Sequence, residues 1–413
     1  MAMPICVPLL LLLLAGSALL VLHRRGYAAS RLLGAALPIA VAFLLRYFLL
    51  DYRSGDYEIF LSQWVATLRE NGGFAAIKLP IGNYNAPYLY FLAAISYLPV
   101  PDLYLIKLFS ILFDVVLAWG GLRLAAHFCG EDSPRPLICF CALLLLPTVV
   151  LNGAYWGQCD SLYAGLTLHA LASVLEGRPK ASLFLLGIAF SFKLQTVFLL
   201  PLWGGLWLLG RVKFRELFLF PAAYALTCVP ALLLGKPLKD ILSVYLGQTQ
   251  EGLGALNYNS ASVFSFLPYG AQVDEALGAR LGILAAFALV LAVLALLFFR
   301  RSRVDDWAIL TAGVVLAVGV PFLLPYMHDR YFFLADVLFL VWAFVSPRHA
   351  PAAVLMECSS LSAYLIYFRQ KFTHIFQIGR EMYPMLGEAM MALAALLWAC
   401  FVLISSLFLK KKE

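Results

Sequence analysis

Long apolar runs separated by short polar stretches dominate the chain. A helix needs about 20 residues to cross the ~30 Å hydrocarbon core of a bilayer, and eleven runs reach or approach this length. The predicted crossings lie near residues 4–22, 32–50, 103–127, 136–151, 159–176, 217–235, 279–299, 307–326, 332–347, 351–368 and 385–409. The pattern predicts an all-α, polytopic transmembrane helical bundle that forms a single domain over residues 1–413.

One further apolar run, residues 181–210, lies between two basic stretches and must therefore enter and leave the membrane on the same side. The polar sequence "SFKLQ" (191–195) interrupts it. Non-helical backbone at membrane depth is tolerated only where protein or a watery cavity satisfies it. We therefore predict a re-entrant pair of half-helices that turns near Lys193, with a cavity beside this residue.

The basic connections predict the orientation, because cytoplasmic loops retain Lys and Arg. If the crossings alternate, "HRRGYAASR", "RPK", "RVKFRE", "RRSR", "PRH" and the terminal "KKK" fall on one side. This places the N-terminus outside and the C-terminus in the cytoplasm. Residues 1–31 are predicted to hold a retained anchor, because the charges follow the apolar run. Two long outer loops are then expected, at 51–102 and 236–278.

Composition supports a membrane protein and excludes soluble classes. Hydrophobic residues make up 63% and charged residues 13% of the chain, whereas a soluble domain carries about 25% charged residues. The net charge of +7 is explained by the predicted topology, so nucleic acid is not an expected partner. The eight cysteines lie mostly in apolar runs without metal-binding spacing, so neither disulfides nor zinc are expected.

The first outer loop opens with an amphipathic segment, "SGDYEIFLSQWVATLRENGGF" (54–74). Its apolar residues follow the spacing of one helix face from Tyr57 to Leu68. This helix is too short to span, so we expect it to lie in the membrane interface with Trp64 at headgroup depth. Asp56 then stands at the helix start, where it can cap the helix, act as a catalytic base, or do both.

Several ionisable residues fall inside or beside predicted crossings, where they are costly and indicate function. Some have structural explanations: Lys107 and Asp114 share one helix face and can serve packing or ion pairing, and Arg46 can reach the outer headgroups. The segment "NGAYWGQCD" (152–160) can be a tight outer turn with an interfacial Trp156.

Taken together, these polar residues indicate a site. The predicted topology brings to the outer face Asp56, Asn83, Tyr84, Asp160, His328, Asp329 and Arg330. Lys193 approaches the same layer from within. Carboxylates combined with Lys, His and Arg suit a ligand with a phosphate headgroup on a lipid.

Four segments, in order, resemble the bacterial relatives of the GPI-anchor mannosyltransferases, which are polytopic glycosyltransferases of the GT-C superfamily. They are "GDYEIFLSQW…NGGF…NYNAPYLYFL", "NGAYWGQCDSLYAGL", "GIAFSFKLQTVFLLPL" and "PYMHDRYFFLADV". The resemblance implies a polyprenyl-phosphate-linked monosaccharide as donor, with mannose favoured. It also implies inverting transfer to a glycan, lipid or protein acceptor at the outer face of a bacterial cytoplasmic membrane.

The resemblance further implies an acidic catalytic base in the first outer loop, which maps to Asp56, with Asp51 as the competitor. Residues 328–330 correspond to a His-acidic-Arg-Tyr motif of the family, with Asp329 where Glu is more usual. The extra N-terminal crossing places the first long loop after the second crossing, a departure from the family pattern. The stretch "LNYNSASVF" (256–264) fits the family only loosely and receives no role.

The expected chemistry needs one carboxylate, because the acceptor hydroxyl loses a proton as it attacks the anomeric carbon. The leaving lipid phosphate needs cationic stabilisation. We predict Asp56 as the base and Lys193, His328 and Arg330 as donor-phosphate ligands. Predicted sugar contacts or supporting side chains are Asp160, Gln195, Asn83, Tyr84 and Asp329. No cofactor is expected, and a divalent cation held by Asp51, Asp56 and Asp160 is the alternative.

Two other function classes compete with an enzyme. A transporter of lipid-linked sugars or solutes, without catalysis, would also have a broken segment and buried charges, although no internal repeat is visible. A structural subunit of a surface-polysaccharide complex would leave Asp56 without a function.

Overall fold

The structure of the chain is a computed structural model that describes residues 3–251 and 254–409. It is 76% helical, so the prediction of an all-α, polytopic helical bundle is confirmed. The basic residues at 410–412, which contribute to the predicted orientation, lie outside the described ranges.

Eighteen α-helices form the described chain. In order they are α1 (Cys6–Arg24), α2 (Ala29–Leu49), α3 (Ser62–Glu70), α4 (Ala86–Ser96), α5 (Asp102–Cys129), α6 (Arg135–Leu145), α7 (Pro147–Val150), α8 (Asp160–Leu175), α9 (Pro179–Phe192), α10 (Pro201–Leu208), α11 (Phe214–Leu217), α12 (Leu219–Leu233), α13 (Leu238–Glu251), α14 (Glu275–Phe299), α15 (Asp306–Leu323), α16 (Phe333–Val345), α17 (Ala350–Arg369) and α18 (Leu386–Phe408).

Short irregular helices and strands connect these elements. Two π-helical turns occur, at Tyr57–Leu61 and Leu151–Trp156. The 3₁₀ helices are Gly73–Lys78, Leu194–Phe198, Val263–Phe266, Arg301–Arg303 and Pro347–His349. Strand β1 (Asn257–Tyr258) pairs in parallel with β2 (Met327–His328), and β3 (Phe376–Ile378) pairs antiparallel with β4 (Glu381–Tyr383).

Eight helical segments of the described chain are long and apolar enough to cross a membrane. They are α1, α2, α5, α14, α15, α18, the segment Phe214–Leu233 that contains α11 and α12, and the segment Pro347–Arg369 that contains α17. Each corresponds to one of the predicted crossings. An integral membrane protein follows from these segments.

Three of the eleven predicted crossings differ from the structure. The run at 136–151 is bent by 47° between α6 and the segment Pro147–Trp156, because a proline lacks a backbone N–H and disfavours helix at the preceding residue. Helix α8 has 16 residues and α16 has 13. At 1.5 Å per residue they extend about 24 Å and about 20 Å, short of the ~30 Å core. The count of eleven crossings is therefore not confirmed.

Contacts divide the chain into two compact units. Unit 1 comprises Met1–Thr196 and Glu216–Gln250, and unit 2 comprises Val197–Arg215 and Glu251–Glu413. In unit 1, α5 packs against α6 and α8, and α9 packs against α8 and α12. In unit 2, α15 packs against α14, α16 and α18, and α17 packs against α16 and α18. The prediction of a single domain stays a prediction.

The packing of α5 against α8 in unit 1 depends on glycine. A Cβ added to Gly165 would lie 3.0 Å from the backbone nitrogen of Leu117, and one added to Gly120 would lie 2.8 Å from the Leu168 Cβ. Small residues at such contacts let helix backbones approach closely inside a membrane. This packing fixes the start of α8, which carries Asp160.

A buried ion pair joins α2 to α5. Arg46 Nη2 and Nε donate to Asp114 Oδ2 at 2.8 and 3.0 Å, and both side chains are fully buried. Arg46 Nη1 donates to the carbonyl oxygens of Ala42 and Leu144, and Ser161 Oγ donates to Asp114 Oδ1 at 2.5 Å. The alternative that Arg46 reaches the outer headgroups is therefore wrong, because its donors are used inside the bundle.

Candidate functional site

The first outer loop begins with the predicted short helix, a π-helical turn that continues into α3. Ser54 caps it: Ser54 Oγ accepts a hydrogen bond from the Tyr57 backbone N–H at 3.2 Å and donates to the Trp156 carbonyl at 2.6 Å. The Asp56 side chain makes no capping hydrogen bond. The capping explanation of Asp56 is therefore wrong, because Ser54 does this work and the Asp56 carboxylate points elsewhere.

Two side chains from the segment before α8 hold the Asp56 carboxylate. Asp56 Oδ2 accepts hydrogen bonds from Trp156 Nε1 at 3.0 Å and from Gln158 Nε2 at 2.6 Å. Trp156 is fully buried, so the alternative of an interfacial Trp156 is wrong. Gly157, at φ +81°, provides the left-handed turn between these donors, and the Gln158 backbone N–H bonds to the Asn152 carbonyl at 2.9 Å.

Tyr84 connects this carboxylate to the broken segment. Tyr84 OH donates to Gln158 Oε1 at 3.3 Å, and its ring lies 5.6 Å from the Trp64 ring, edge to face. Lys193 Nζ lies 5.6 Å from the centroid of the Tyr84 ring, within the range of a cation–π interaction. Gly82 allows this packing, since an added Cβ would lie 2.7 Å from the Trp64 ring. We call Asp56, Trp156, Gln158 and Tyr84 the Asp56 network.

Lys193 lies at the predicted helix break. Helix α9 ends at Phe192 and Lys193 is extended, with φ −146° and ψ 136°. Its Nζ donates to Asp160 Oδ1 at 2.6 Å, and the two side chains are only 5% and 2% exposed. Asp160 Oδ2 accepts from Asn152 Nδ2 at 2.7 Å. The buried charges are thus paired and hydrogen-bonded, as burial of an ion pair requires.

Asp51, the competing base, lies in a different environment. Tyr104 OH donates to Asp51 Oδ1 at 2.8 Å. No group of three or more His, Cys, Asp or Glu side chains that could hold a metal ion occurs within 3–251 and 254–409. The alternative cation site of Asp51, Asp56 and Asp160 stays a prediction; the Asp51 and Asp56 carboxylates accept hydrogen bonds from different side chains.

Asn83 and Gln195 flank the network. Asn83 is half-buried in the turn before α4, and Gln195 is buried in the 3₁₀ helix after Lys193. Their predicted sugar-contacting or supporting functions stay predictions. The neighbouring Asn85 was missed: its Oδ1 accepts from the Ala86 backbone N–H at 2.7 Å and its Nδ2 donates to Tyr224 OH at 2.9 Å. An Asn before Ala-Pro is a recognisable helix start.

In unit 2, the His-Asp-Arg motif forms part of the β1–β2 pair. His328 pairs with Tyr258, and their rings stack at 4.9 Å. Asp329 is buried, and its Oδ1 lies 4.0 Å from Arg330 Nη1. The Tyr326 backbone N–H, at φ +63°, donates to the Leu256 carbonyl at 2.9 Å. The stretch 256–264, for which no function was predicted, therefore lies directly beside this motif.

The same stretch lines a cavity of about 420 Å³ in unit 2. Asn257 Nδ2 donates to the Ser260 carbonyl at 3.0 Å and to Ser265 Oγ at 2.7 Å, which fixes the loop. Glu275 lines the cavity, and its Oε1 accepts a hydrogen bond from Tyr326 OH at 3.2 Å. Burial and the Glu275 carboxylate raise the pKa of Tyr326.

The predicted site residues thus fall into two groups. Asp56, Tyr84, Asp160 and Lys193 are connected within unit 1, whereas residues 328–330 lie in unit 2. A shared site for the two groups stays a prediction. Trp156, Gln158 and Asn152 were missed as site residues, although all three belong to the quoted motif "NGAYWGQCD".

Comparison with known proteins gives one family. The model of glycosyltransferase family 87 matches residues 83–325, more than half of the chain. The matched range begins after Asp51 and Asp56 and ends before His328. It contains Asn83, Tyr84, Asp160, Lys193 and Gln195. No curated protein matches the chain.

Proposed function

The chain belongs to glycosyltransferase family 87, a GT-C-like polytopic family, and from this membership we propose that its donor is a polyprenyl-phosphate-linked monosaccharide. Mannose is the favoured sugar, and the acceptor is a glycan, lipid or protein at the outer face of a bacterial cytoplasmic membrane. Membership in a glycosyltransferase family disfavours a transporter without catalysis and a purely structural subunit.

The hydrogen bonding of Asp56 carries the proposal for the catalytic base. Its Oδ2 accepts from Trp156 Nε1 at 3.0 Å and Gln158 Nε2 at 2.6 Å, which holds the carboxylate in one orientation. An ionised carboxylate accepts at about four lone-pair sites, so it can also take a proton from an acceptor hydroxyl. A positioned general base contributes typically about 10²–10⁴-fold to a rate.

In the proposed reaction, the acceptor hydroxyl oxygen attacks the anomeric carbon of the donor sugar. The bond between that carbon and the lipid-phosphate oxygen breaks, and its electron pair leaves with the phosphate. The hydroxyl proton passes to Asp56. Attack from the face opposite the leaving group inverts the anomeric configuration.

Lys193 is proposed to stabilise the charge on the departing phosphate. An ammonium has three N–H donors, and Asp160 Oδ1 receives one of them at 2.6 Å. The Asp160–Asn152 hydrogen bond at 2.7 Å fixes the direction of this pair. Two donors therefore remain for phosphate oxygens, and developing negative charge is most strongly stabilised in such a water-poor position. His328 and Arg330 are proposed as further phosphate ligands on the resemblance alone.

The proposal is tested with purified protein and a panel of polyprenyl phosphates carrying mannose, glucose, galactose or an amino sugar. Released polyprenyl phosphate and sugar transfer to lysate acceptors are measured, with Asp56→Asn assayed in parallel. Consumption of one donor, lost in a variant with an unchanged elution and melting profile, is the expected result. No turnover of any lipid-linked donor alongside turnover of a nucleotide sugar would contradict the donor class.

A further inference from the structure

The cavity of about 420 Å³ in unit 2 lies in the loop that precedes α14. Residues 254–275 form most of its wall, and Phe372, Pro384 and Met385 complete it from the connection between α17 and α18. We propose that this cavity binds a neutral saccharide. In a glycosyltransferase, such a site holds a sugar unit of the acceptor. That use rests on the proposed function, whereas saccharide binding itself does not.

The size and the lining of the cavity suit a small ligand with both polar and apolar parts. Ligand pockets measure about 300–1,000 Å³, and this cavity lies near the lower end of that range. Phe264, Leu267 and Phe372 supply apolar surface, and Asn259 supplies an exposed amide. A saccharide needs this combination, because its ring has apolar C–H faces and its rim carries hydroxyl groups.

Glu275 supplies an oriented carboxylate with one open oxygen. Its Oε1 accepts hydrogen bonds from the Gly254 backbone N–H at 3.0 Å and from Tyr326 OH at 3.2 Å. Within residues 3–251 and 254–409, Oε2 has no hydrogen-bond partner. An ionised carboxylate accepts at about four lone-pair sites. The bonds at Oε1 therefore hold the group in place, and Oε2 can accept hydrogen bonds from ligand hydroxyls.

The backbone of Tyr326 supports a binding function for this carboxylate. A bulky residue at φ +63° is an outlier, and such conformations cluster at ligand sites. The Tyr326 backbone N–H donates to the carbonyl of Leu256, which lines the cavity, at 2.9 Å. Its phenol bonds to Glu275. The strained residue thus fixes two parts of the cavity wall.

Tyr269 adds an exposed aromatic ring to the same wall. The residue is 70% exposed, and its backbone N–H donates to the Met382 carbonyl at 2.7 Å, which ties this part of the loop to strand β4. A tyrosine ring offers a large, rigid contact area at a low cost in conformational entropy. The C–H face of a sugar ring can pack on such a ring while the hydroxyls remain in contact with polar groups.

The charge of the wall favours a neutral ligand. Among the described residues that line the cavity, none is Lys, Arg or His. A phosphate or carboxylate on the ligand would therefore meet the Glu275 charge without a compensating cation. A purely apolar ligand would instead remove water from Glu275 Oε2 and leave this oxygen unpaired. A neutral ligand with hydroxyl groups avoids both costs, and a cationic amine is the competitor that the experiment must separate from it.

The test is saturation-transfer NMR of the full-length protein in phosphatidylcholine nanodiscs, because detergents with sugar headgroups would compete for the site. The probes are mannobiose, neutral N-acetylglucosamine, cationic glucosamine and anionic glucuronic acid. We expect saturable binding of a neutral saccharide and no binding of glucuronic acid. Tyr269→Ala should weaken binding about tenfold, whereas the matched control Tyr269→Phe keeps the ring and should retain binding. Glu275→Gln should also weaken binding about tenfold, because a neutral amide accepts a weaker hydrogen bond than a carboxylate.

Three outcomes would overturn the proposal. Equal losses in Tyr269→Ala and Tyr269→Phe would mean that the aromatic face does not bind the ligand. Tighter binding of glucosamine than of either neutral sugar, lost in Glu275→Gln, would make the cavity an amine site. Absence of binding by both neutral sugars to unmodified protein with a cooperative melting transition would leave no saccharide site.

Kinetics separate this proposal from the proposed transfer reaction. With an active donor, Tyr269→Ala should raise the acceptor KM about tenfold. Phe376→Ala, which changes a 45% exposed aromatic residue outside the cavity wall, should leave it unchanged. An acceptor KM that is unchanged in both Tyr269→Ala and Glu275→Gln would exclude the acceptor use of the cavity. Saccharide binding by a protein that turns over no donor would instead contradict the transfer reaction and support the saccharide site.

Discussion

Removal of the Asp114 carboxylate should destabilise the protein far more than removal of both members of its ion pair. Asp114→Leu leaves the Arg46 guanidinium buried, with Nε and Nη2 deprived of the oxygen that they share at 3.0 and 2.8 Å. Both side chains are 0% exposed, so water cannot replace the lost acceptor. Breaking a buried pair on one side costs about 3–5 kcal/mol. The double variant Arg46→Met with Asp114→Leu removes the uncompensated charge and should recover most of this loss.

The measurement is unfolding by sodium dodecyl sulfate in mixed micelles, followed by circular dichroism, for the two single variants and the double variant. An exposed pair provides the matched control: Glu131, paired with Arg25, is 58% exposed, and Glu131→Gln should cost below about 1 kcal/mol. A double variant as unstable as Asp114→Leu would refute the reasoning. A loss in Asp114→Leu no larger than that of the control would also refute it.

Three further predictions concern the first outer loop and the helix break. Gln158→Leu removes a hydrogen bond to the Asp56 carboxylate, worth about 1.5–3 kcal/mol, so kcat should fall about 10- to 150-fold while KM stays unchanged. The control Gln63→Leu changes an exposed glutamine and should alter neither constant. Equal effects of the two variants would contradict the Asp56 network. Lys193→Met should lower kcat and raise the donor KM. Unchanged values of both would remove Lys193 from the phosphate site. Burial and Asp102 raise the pKa of Tyr57 from 10.0 to about 12; its protonated phenol therefore stabilises the fold below pH 10, and this contribution is lost as the pH rises through 12. The measurement is a pH titration of phenolate absorbance, in which the signal of Tyr57→Phe is subtracted from that of the unmodified protein. A difference signal that titrates near pH 10 would contradict the raised pKa of Tyr57.

Local patterns in the sequence predicted the elements and part of the site. Apolar run length identified the eight long membrane segments, and the polar interruption at 191–195 located the end of α9. The bend at Pro147 follows from proline chemistry and is therefore readable from the sequence. The short lengths of α8 and α16 follow from the sequence, because their apolar runs end at "EGRP" (176–179) and "SPRH" (346–349).

The sequence pattern could not predict contacts between residues that lie far apart in the chain. Asp56 and Trp156 are 100 residues apart, and Arg46 and Asp114 are 68 apart, so no local spacing indicates either contact. Asp56 as the catalytic base therefore stays a prediction, whereas the alternative that it caps the helix is wrong, because its side chain makes no capping hydrogen bond. The parallel pairing of Tyr258 with His328 joins two segments that no periodicity connects.

The measurement that tests the central claim most directly is single-turnover transfer from the active polyprenyl-phosphate sugar, comparing Asp56→Asn with Asp51→Asn. Each variant removes one carboxylate charge from the same loop, and binding of the donor is measured separately by photo-crosslinking. Asp56→Asn should bind donor and transfer no sugar, whereas Asp51→Asn, whose carboxylate interacts with Tyr104, should retain transfer. Loss of transfer in Asp51→Asn with full transfer in Asp56→Asn would contradict the account and move the catalytic base to Asp51.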